Sequence, residues 1–196
     1  MSRRIGILGG SFDPPHLGHL AVAEVAQRQL GLDRVHVIPA AQAPLRDDTP
    51  KASAAERILM LRLAFDHLAW AVVDDREIRR GGTSYSVDTA RELAAENPGD
   101  ALYWIIGADQ LARLHAWHEA QALCGLVRFA VLARNGQPGV VDASLSALAR
   151  VERLDAPQVD VSSTAIRRAL SEGRPVGKTL PPAVADCIQA RNLYRT

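Results

Sequence analysis

The chain has 196 residues, 47% of them apolar and 23% charged, and a net charge of +1. That length suits one well-buried α/β domain and is too short for two ample ones. The even charge argues against a broad nucleic-acid surface, which needs clustered basic side chains, and no apolar stretch has the length of a membrane span or the form of a signal-peptide core.

Apolar runs suited to strands alternate along the chain with amphipathic runs suited to helices, the pattern of a parallel sheet covered on both faces. Strands are expected at 4–9, 34–39, 70–74, 102–106 and 128–132, with a weaker one at 151–154. Helices are expected at 17–30, 54–67, 86–96, 117–123, 143–149, 163–172 and 182–191. Loops with Pro, Gly or clustered charge fall at 40–52, 79–83 and 135–139, and neither an internal repeat nor a low-complexity segment is present. The reading is one domain over 1–196, a doubly wound parallel sheet with a small helical C-terminal extension. Cys124 and Cys187 are far apart and form no Cys-x-x-Cys pair, so both read as buried small residues rather than a disulfide or metal site.

The most informative stretch follows the first strand: Gly9-Gly-Ser-Phe-Asp-Pro-Pro-His-Leu-Gly-His19. Gly9 and Gly10 are expected to make a tight turn and admit a ligand close to the backbone. His16 and His19 fall one turn apart on one face at a helix start, where free amides and the macrodipole already favour an anion. With so small a net charge, a polyphosphate must be held by a few focused cations; the candidates are His16, His19, Arg46, Arg134, Arg167 and Arg168. In an open parallel sheet ligands bind beyond the carboxyl ends of the strands. Gly9 and Gly10, Gly107 to Asp109, and Arg134 all stand at such ends.

A second helix start lies at Val161-Ser-Ser-Thr-Ala-Ile-Arg167, with Ser162 and Ser163 as natural N-caps. Gly177-Lys-Thr179 looks superficially like a phosphate-binding loop, but Gly173 stands one residue too close and the segment follows a helix rather than a strand. Without a Gly-x-Gly-x-x-Gly stretch, hydride transfer has no fingerprint. His115 and His118 stand three apart with only Asp109 or Glu119 as a third ligand, too few donors for a metal site.

The opening motif resembles the signature of the nucleotidyltransferase superfamily with His-x-Gly-His. Within it the chain is similar to the bacterial nicotinate-nucleotide adenylyltransferases, nearly end to end: Gly82-Thr-Ser-Tyr-Ser86, Trp104-Ile-Ile-Gly-Ala-Asp109, Trp117, Val161-Ser-Ser-Thr-Ala-Ile-Arg167 and Asn192-Leu-Tyr194 all match. The resemblance implies a Rossmann-like fold, with 161–196 forming a phosphate-binding helix and the helical extension. It also implies transfer of an adenylyl group from ATP, carried with Mg²⁺, to nicotinate mononucleotide.

His16, His19 and Arg167 would then be catalytic. ATP would be bound by Gly9, Gly10, Ser11, Phe12, His16, Gly18, His19, Arg46, Gly107, Asp109, Ser162, Ser163, Thr164 and Arg167, with Asp109 on ribose hydroxyls and Arg168 solvated. Nicotinate mononucleotide would meet Ser11, Ser84, Tyr85, Ser86, Trp117, His118 and Arg134, with Trp117 as platform for the pyridine ring and the Ser86 hydroxyl near its carboxylate.

Three departures from the family pattern stand out. His118 replaces a common tyrosine, Asn135 an expected proline, and Ala43-Pro-Leu-Arg46 stands where the family often has Pro-Pro-His-Lys. The last departure bears on nucleotide affinity more than on the class of reaction. Rival readings are a sister adenylyltransferase for nicotinamide mononucleotide or phosphopantetheine, a class I aminoacyl-tRNA synthetase fragment, which lacks room for anticodon recognition, and a non-catalytic nucleotide sensor. The expected location is cytoplasmic, with no membrane or nucleic-acid partner; a homo-oligomer stays open.

Overall fold

A computed structural model describes residues 2–44, 49–133, 139–155 and 161–195. Six strands form one sheet: β1 Arg4–Gly10, β2 Arg34–Pro39, β3 Ala71–Val73, β4 Ala101–Gly107, β5 Arg128–Leu132 and β6 Val151–Leu154. All pairs are parallel and the order is β3-β2-β1-β4-β5-β6. The order therefore reverses at β1, and the crevice between the carboxyl ends of β1 and β4 is where such sheets bind ligands.

Alternation along the strands divides the core in two. Val35, Val37, Tyr103, Ile105, Ala130 and Leu132 face one layer, while Ile5, Ile7, Leu102, Trp104, Ile106, Phe129 and Val131 face the other. The first layer is closed by α1 (Leu17–Leu30), α2 (Ala54–Phe65), α7 (Ser163–Ser171) and α8 (Pro182–Ala190), whose Ile166, Val184 and Ile188 share its core. The second is closed by α4 (Ser86–Glu96), α5 (Ala108–Ala112) and α6 (Ala120–Leu126). A short α3 spans Arg76–Arg80. Among the described residues no helix is long and apolar enough to cross a membrane.

Two expected helices are corrected. Residues 117–123 do not form one helix: Leu114–Ala116 is a 3-10 turn, Trp117 is extended, and Glu119 is left-handed at φ 47° before α6 begins. The break is held from outside, because Arg91 on α4 grips the Glu119 carboxylate at 2.5 Å. Residues 143–149 form successive turns instead of a helix. There Ser144 bonds Asp142 through both its amide and its hydroxyl, and Ser146 bonds the Ala143 carbonyl. Such local side-chain bonds compete with the helical ladder.

Cys124 is buried, whereas Cys187 is only half-buried.

Candidate active site

The loop after β1 is tight for a reason other than its glycines. Gly9 and Gly10 stay within the extended strand; the left-handed residue is Phe12, at φ 48°. Its ring folds back beneath Gly10, where a Cβ would stand 3.2 Å from it, and meets His19 edge-on at 4.9 Å between centroids. Glycine at position 10 thus makes room for Phe12, which is 2% exposed and anchors the loop in the core.

The loop delivers His16 to the N-cap of α1 in extended conformation. Its amide donates to Nδ1 of His19 at 3.1 Å, and the two imidazoles stack at 3.7 Å. Because His19 Nδ1 accepts, the proton of a neutral His19 ring sits on Nε2, the nitrogen remote from the backbone. Burial pushes the His16 pKa down to about 4, partly offset by a backbone hydrogen bond, so its ring is neutral near pH 7. His16 Nδ1 is shut away from water and lacks a partner of good geometry among the described residues, an arrangement that weakens the fold. Position 16 is not tuned for stability.

The helix start at 162 docks directly on this loop. Ser162 caps α7 by accepting the Ala165 amide, Ser163 Oγ donates to the Pro14 carbonyl at 2.9 Å, and Arg167 Nη1 donates to the Asp13 carbonyl at 2.8 Å. Thr164 Oγ1 accepts from Arg167 Nη2 at 3.5 Å. Arg168 is exposed. Stretches about 150 residues apart in sequence therefore meet at the mouth of the β1 loop.

A residue that sequence reasoning passed over secures the meeting from below. Arg57 on α2 is 2% exposed, and its Nη1 donates to the carbonyls of Ser11 and Ala40, each at 2.9 Å. Burial lowers its pKa, opposed by the nearby Asp13. An arginine in an apolar helix run is its only trace in the sequence.

Across the crevice, the segment after β2 is zipped to the one before α4. The Ser84 amide donates to Gln42 O at 2.8 Å, and the Ala41 amide to Ser84 Oγ at 2.9 Å. Ser84 is buried and also bonds Glu77, which Thr89 Oγ1 meets at 2.6 Å. Burial raises the Glu77 pKa and these hydrogen bonds oppose the rise. Tyr85 is the N-cap of α4 and Ser86 its first residue.

The Tyr85 ring lies 4.2 Å from that of His118, and Trp117 meets the buried Trp104 edge-on at 6.4 Å. At the end of β4, Gly107 leaves room for the Asp109 carboxylate, since a Cβ there would stand 2.6 Å from Oδ1. Asp109 is exposed in the first turn of α5. Gly18 is buried in α1. Arg46 and Arg134 lie outside the described residues. His115 and His118 approach different carboxylates, Asp142 and Glu119, and no cluster of three or more metal-ligating side chains occurs among the described residues.

A parallel sheet in the order 3-2-1-4-5-6, with two helix starts, paired imidazoles and a guanidinium at its switch point, is the architecture of a nucleotidyltransferase. The model of the cytidylyltransferase-like family matches residues 7–169. Over 192 residues, covering 98% of each chain, the sequence is 42% identical to a probable nicotinate-nucleotide adenylyltransferase of Opitutus terrae. It is 43% identical over 203 residues to one of Bordetella petrii, covering 98% of this chain and all of that one. The fold superposes with a TM-score of 0.80 on the nicotinic acid mononucleotide adenylyltransferase of Plasmodium falciparum complexed with NaAD, at 20% identity, covering 98% of this chain and 97% of that one. The chain belongs to the nicotinate-nucleotide adenylyltransferases of the cytidylyltransferase-like family.

Proposed function

We propose that this chain joins ATP and nicotinate mononucleotide to give nicotinate adenine dinucleotide and pyrophosphate, a step of NAD biosynthesis. Its family membership supports the reaction. One observation carries the site: Arg167 and Ser163 of α7 bond the backbone of the loop that presents His16 and His19. A single triphosphate can therefore touch both elements.

A phosphate oxygen of the mononucleotide attacks the α-phosphorus of ATP; the bond from that phosphorus to the bridging oxygen breaks, and pyrophosphate leaves with the electron pair. No proton need move and no covalent enzyme intermediate forms. Catalysis rests on bringing two polyanions together and neutralising charge as it shifts to the leaving group. His19 Nε2–H and the His16 ring face the α- and bridging phosphates. Arg167 and the amides at Ser162, Ser163 and Thr164 hold the β- and γ-phosphates. Mg²⁺ would be carried with ATP, held by phosphate and water rather than by a protein cage, and would supply charge neutralisation on the phosphates.

On the other side, Trp117 carries the pyridine ring and the start of α4 at Ser86 offers hydroxyl and amide donors to its carboxylate. Ser84 serves from beneath, holding Ala41 and the approach to Ser86. Asp109 takes ribose hydroxyls, since a carboxylate would repel the phosphates.

The test is pyrophosphate release on mixing the protein with ATP, Mg²⁺ and nicotinate mononucleotide, with nicotinamide mononucleotide in parallel. Rapid release with the acid and little with the amide is expected. Equal rates would overturn the acid selectivity, and nucleotide binding without release would leave a sensor.

A further inference from the structure

The C-terminal Asn192-Leu-Tyr194 matches the family, yet no step above uses it. In the structure it reaches the heart of the phosphate site. The Tyr194 hydroxyl donates to Asp13 Oδ1 at 2.8 Å, across 181 residues of sequence. Asp13 is 3% exposed. The Lys51 amide donates to its Oδ2 at 2.7 Å and the Ala52 amide to its Oδ1 at 3.0 Å. Its own carbonyl accepts the Arg167 guanidinium, while Oδ2 stands 3.7 Å from the same Nη1.

Bringing the tail there takes unusual backbone. Asn192 and Tyr194 are both left-handed, at φ 52° and 63°; asparagine enters that region readily after a helix, whereas a tyrosine does so where the surroundings enforce it. Stopping α8 requires at most one such residue. The second is Tyr194 itself, whose hydroxyl reaches the β1 loop.

We propose that Tyr194 is a positioning residue for the triphosphate clamp, acting through Asp13 on Arg167. The inference rests on the function proposed above. A buried carboxylate draws whatever donors lie in reach. With the phenol and two amides on its oxygens, Asp13 leaves the Arg167 guanidinium anchored by a carbonyl and directed at phosphate. Without the phenol, Oδ1 keeps only the Ala52 amide, and the guanidinium 3.7 Å from Oδ2 is the nearby cation that compensates, turning inward from ATP.

The test is Tyr194→Phe in the full chain, which removes one oxygen and keeps the ring. KM for ATP should rise about tenfold, the lower range for a hydrogen bond to a charged group, while KM for nicotinate mononucleotide stays within about twofold and the melting temperature falls by only a few degrees, the chain remaining folded. Unchanged constants, an equal rise in both, or loss of folding would each overturn the proposal, because each is what a purely structural tail gives. Calorimetric titration with Mg²⁺ and ATP alone is run beside it. If the wild-type protein releases no pyrophosphate, the proposed function fails, yet a weaker titration of Tyr194→Phe still supports the positioning role of Tyr194 and an identical one sinks it.

Discussion

The two ends of the crevice are held by different physics. At the phosphate end, buried and half-buried side chains bond groups distant in sequence: Arg57 the carbonyls of Ser11 and Ala40, Ser163 that of Pro14, Arg167 that of Asp13, and Tyr194 the Asp13 carboxylate. At the pyridine end, outer support comes from groups open to water: the Arg91–Glu119 pair, with side chains 46% and 43% exposed, and the His118 ring on Tyr85. The first arrangement fixes geometry where charge shifts during reaction, since preorganised donors in a dry site cost no reorganisation. The second is less rigid, resting on groups that water can replace. By this contrast, substitutions at the phosphate end affect turnover or the hold on ATP, and those at the pyridine end affect affinity for the mononucleotide alone.

The largest effect is expected at His19. His19→Ala should lower kcat by about 10²–10³-fold, the loss typical of one preorganised donor, with the melting temperature nearly unchanged. A folded variant with wild-type turnover would break the contrast at its strongest point.

His16 separates stability from chemistry at the same end. Its folded pKa of about 4 lies below the ordinary 6.5, so between those values the unfolded chain binds more protons. Its contribution to stability is therefore complete above pH 6.5 and is lost as pH falls toward 4. The full loss is on the order of 3 kcal/mol. Urea unfolding at pH 7 and pH 4.5 should show a steeper decline for wild type than for His16→Asn, which keeps an N-cap residue and removes the buried imidazole. Parallel declines would mean that His16 is solvated. The variant should at the same time lose turnover, because position 16 trades stability for chemistry.

What the sequence made legible divides along the same line. Periodicity and end signals placed β2, β5, β6, α1 and α4 with the bounds observed, since each carries its own apolar pattern and its own stop. The motifs of the β1 loop and of α7 were visible for the same local reason. The contacts that join them were not, because nothing near Asp13 in sequence announces the amides of Lys51 and Ala52 or the hydroxyl of Tyr194. The break at Glu119 was hidden too: its left-handed backbone is paired with an arginine 28 residues earlier. Gly9 and Gly10 looked like the turn, whereas Phe12 makes it, because a buried aromatic ring holds a strained backbone that composition alone assigns to glycine.

At the pyridine end, Trp117→Ala should raise KM for nicotinate mononucleotide by about 10–100-fold, matching roughly 1–3 kcal/mol for stacking on an aromatic ring. KM for ATP should not move. Trp117→Phe should recover part of the loss, and an equal rise in both constants would show that Trp117 supports the whole crevice through Trp104.

The smallest effect is expected at Arg91, and it tests whether the exposed pair matters for function at all. Isolated surface ion pairs contribute little to stability, so Arg91→Ala should leave the melting temperature almost unmoved. Its purpose lies in the Glu119 backbone. That residue sits at φ 47° directly after His118, and releasing its carboxylate lets the 117–119 segment relax toward ordinary backbone, shifting Trp117 and the His118 amide together. A rise of about two- to fivefold in KM for nicotinate mononucleotide follows, within the range that a small displacement of a positioning group produces. Salt should mimic the substitution in wild type, because an exposed pair is screened as ionic strength rises, and should have no such effect on the variant. If the variant and the wild type respond alike to salt, the pair is ornamental and the left-handed turn is held by packing of Ala120 and Trp117 alone.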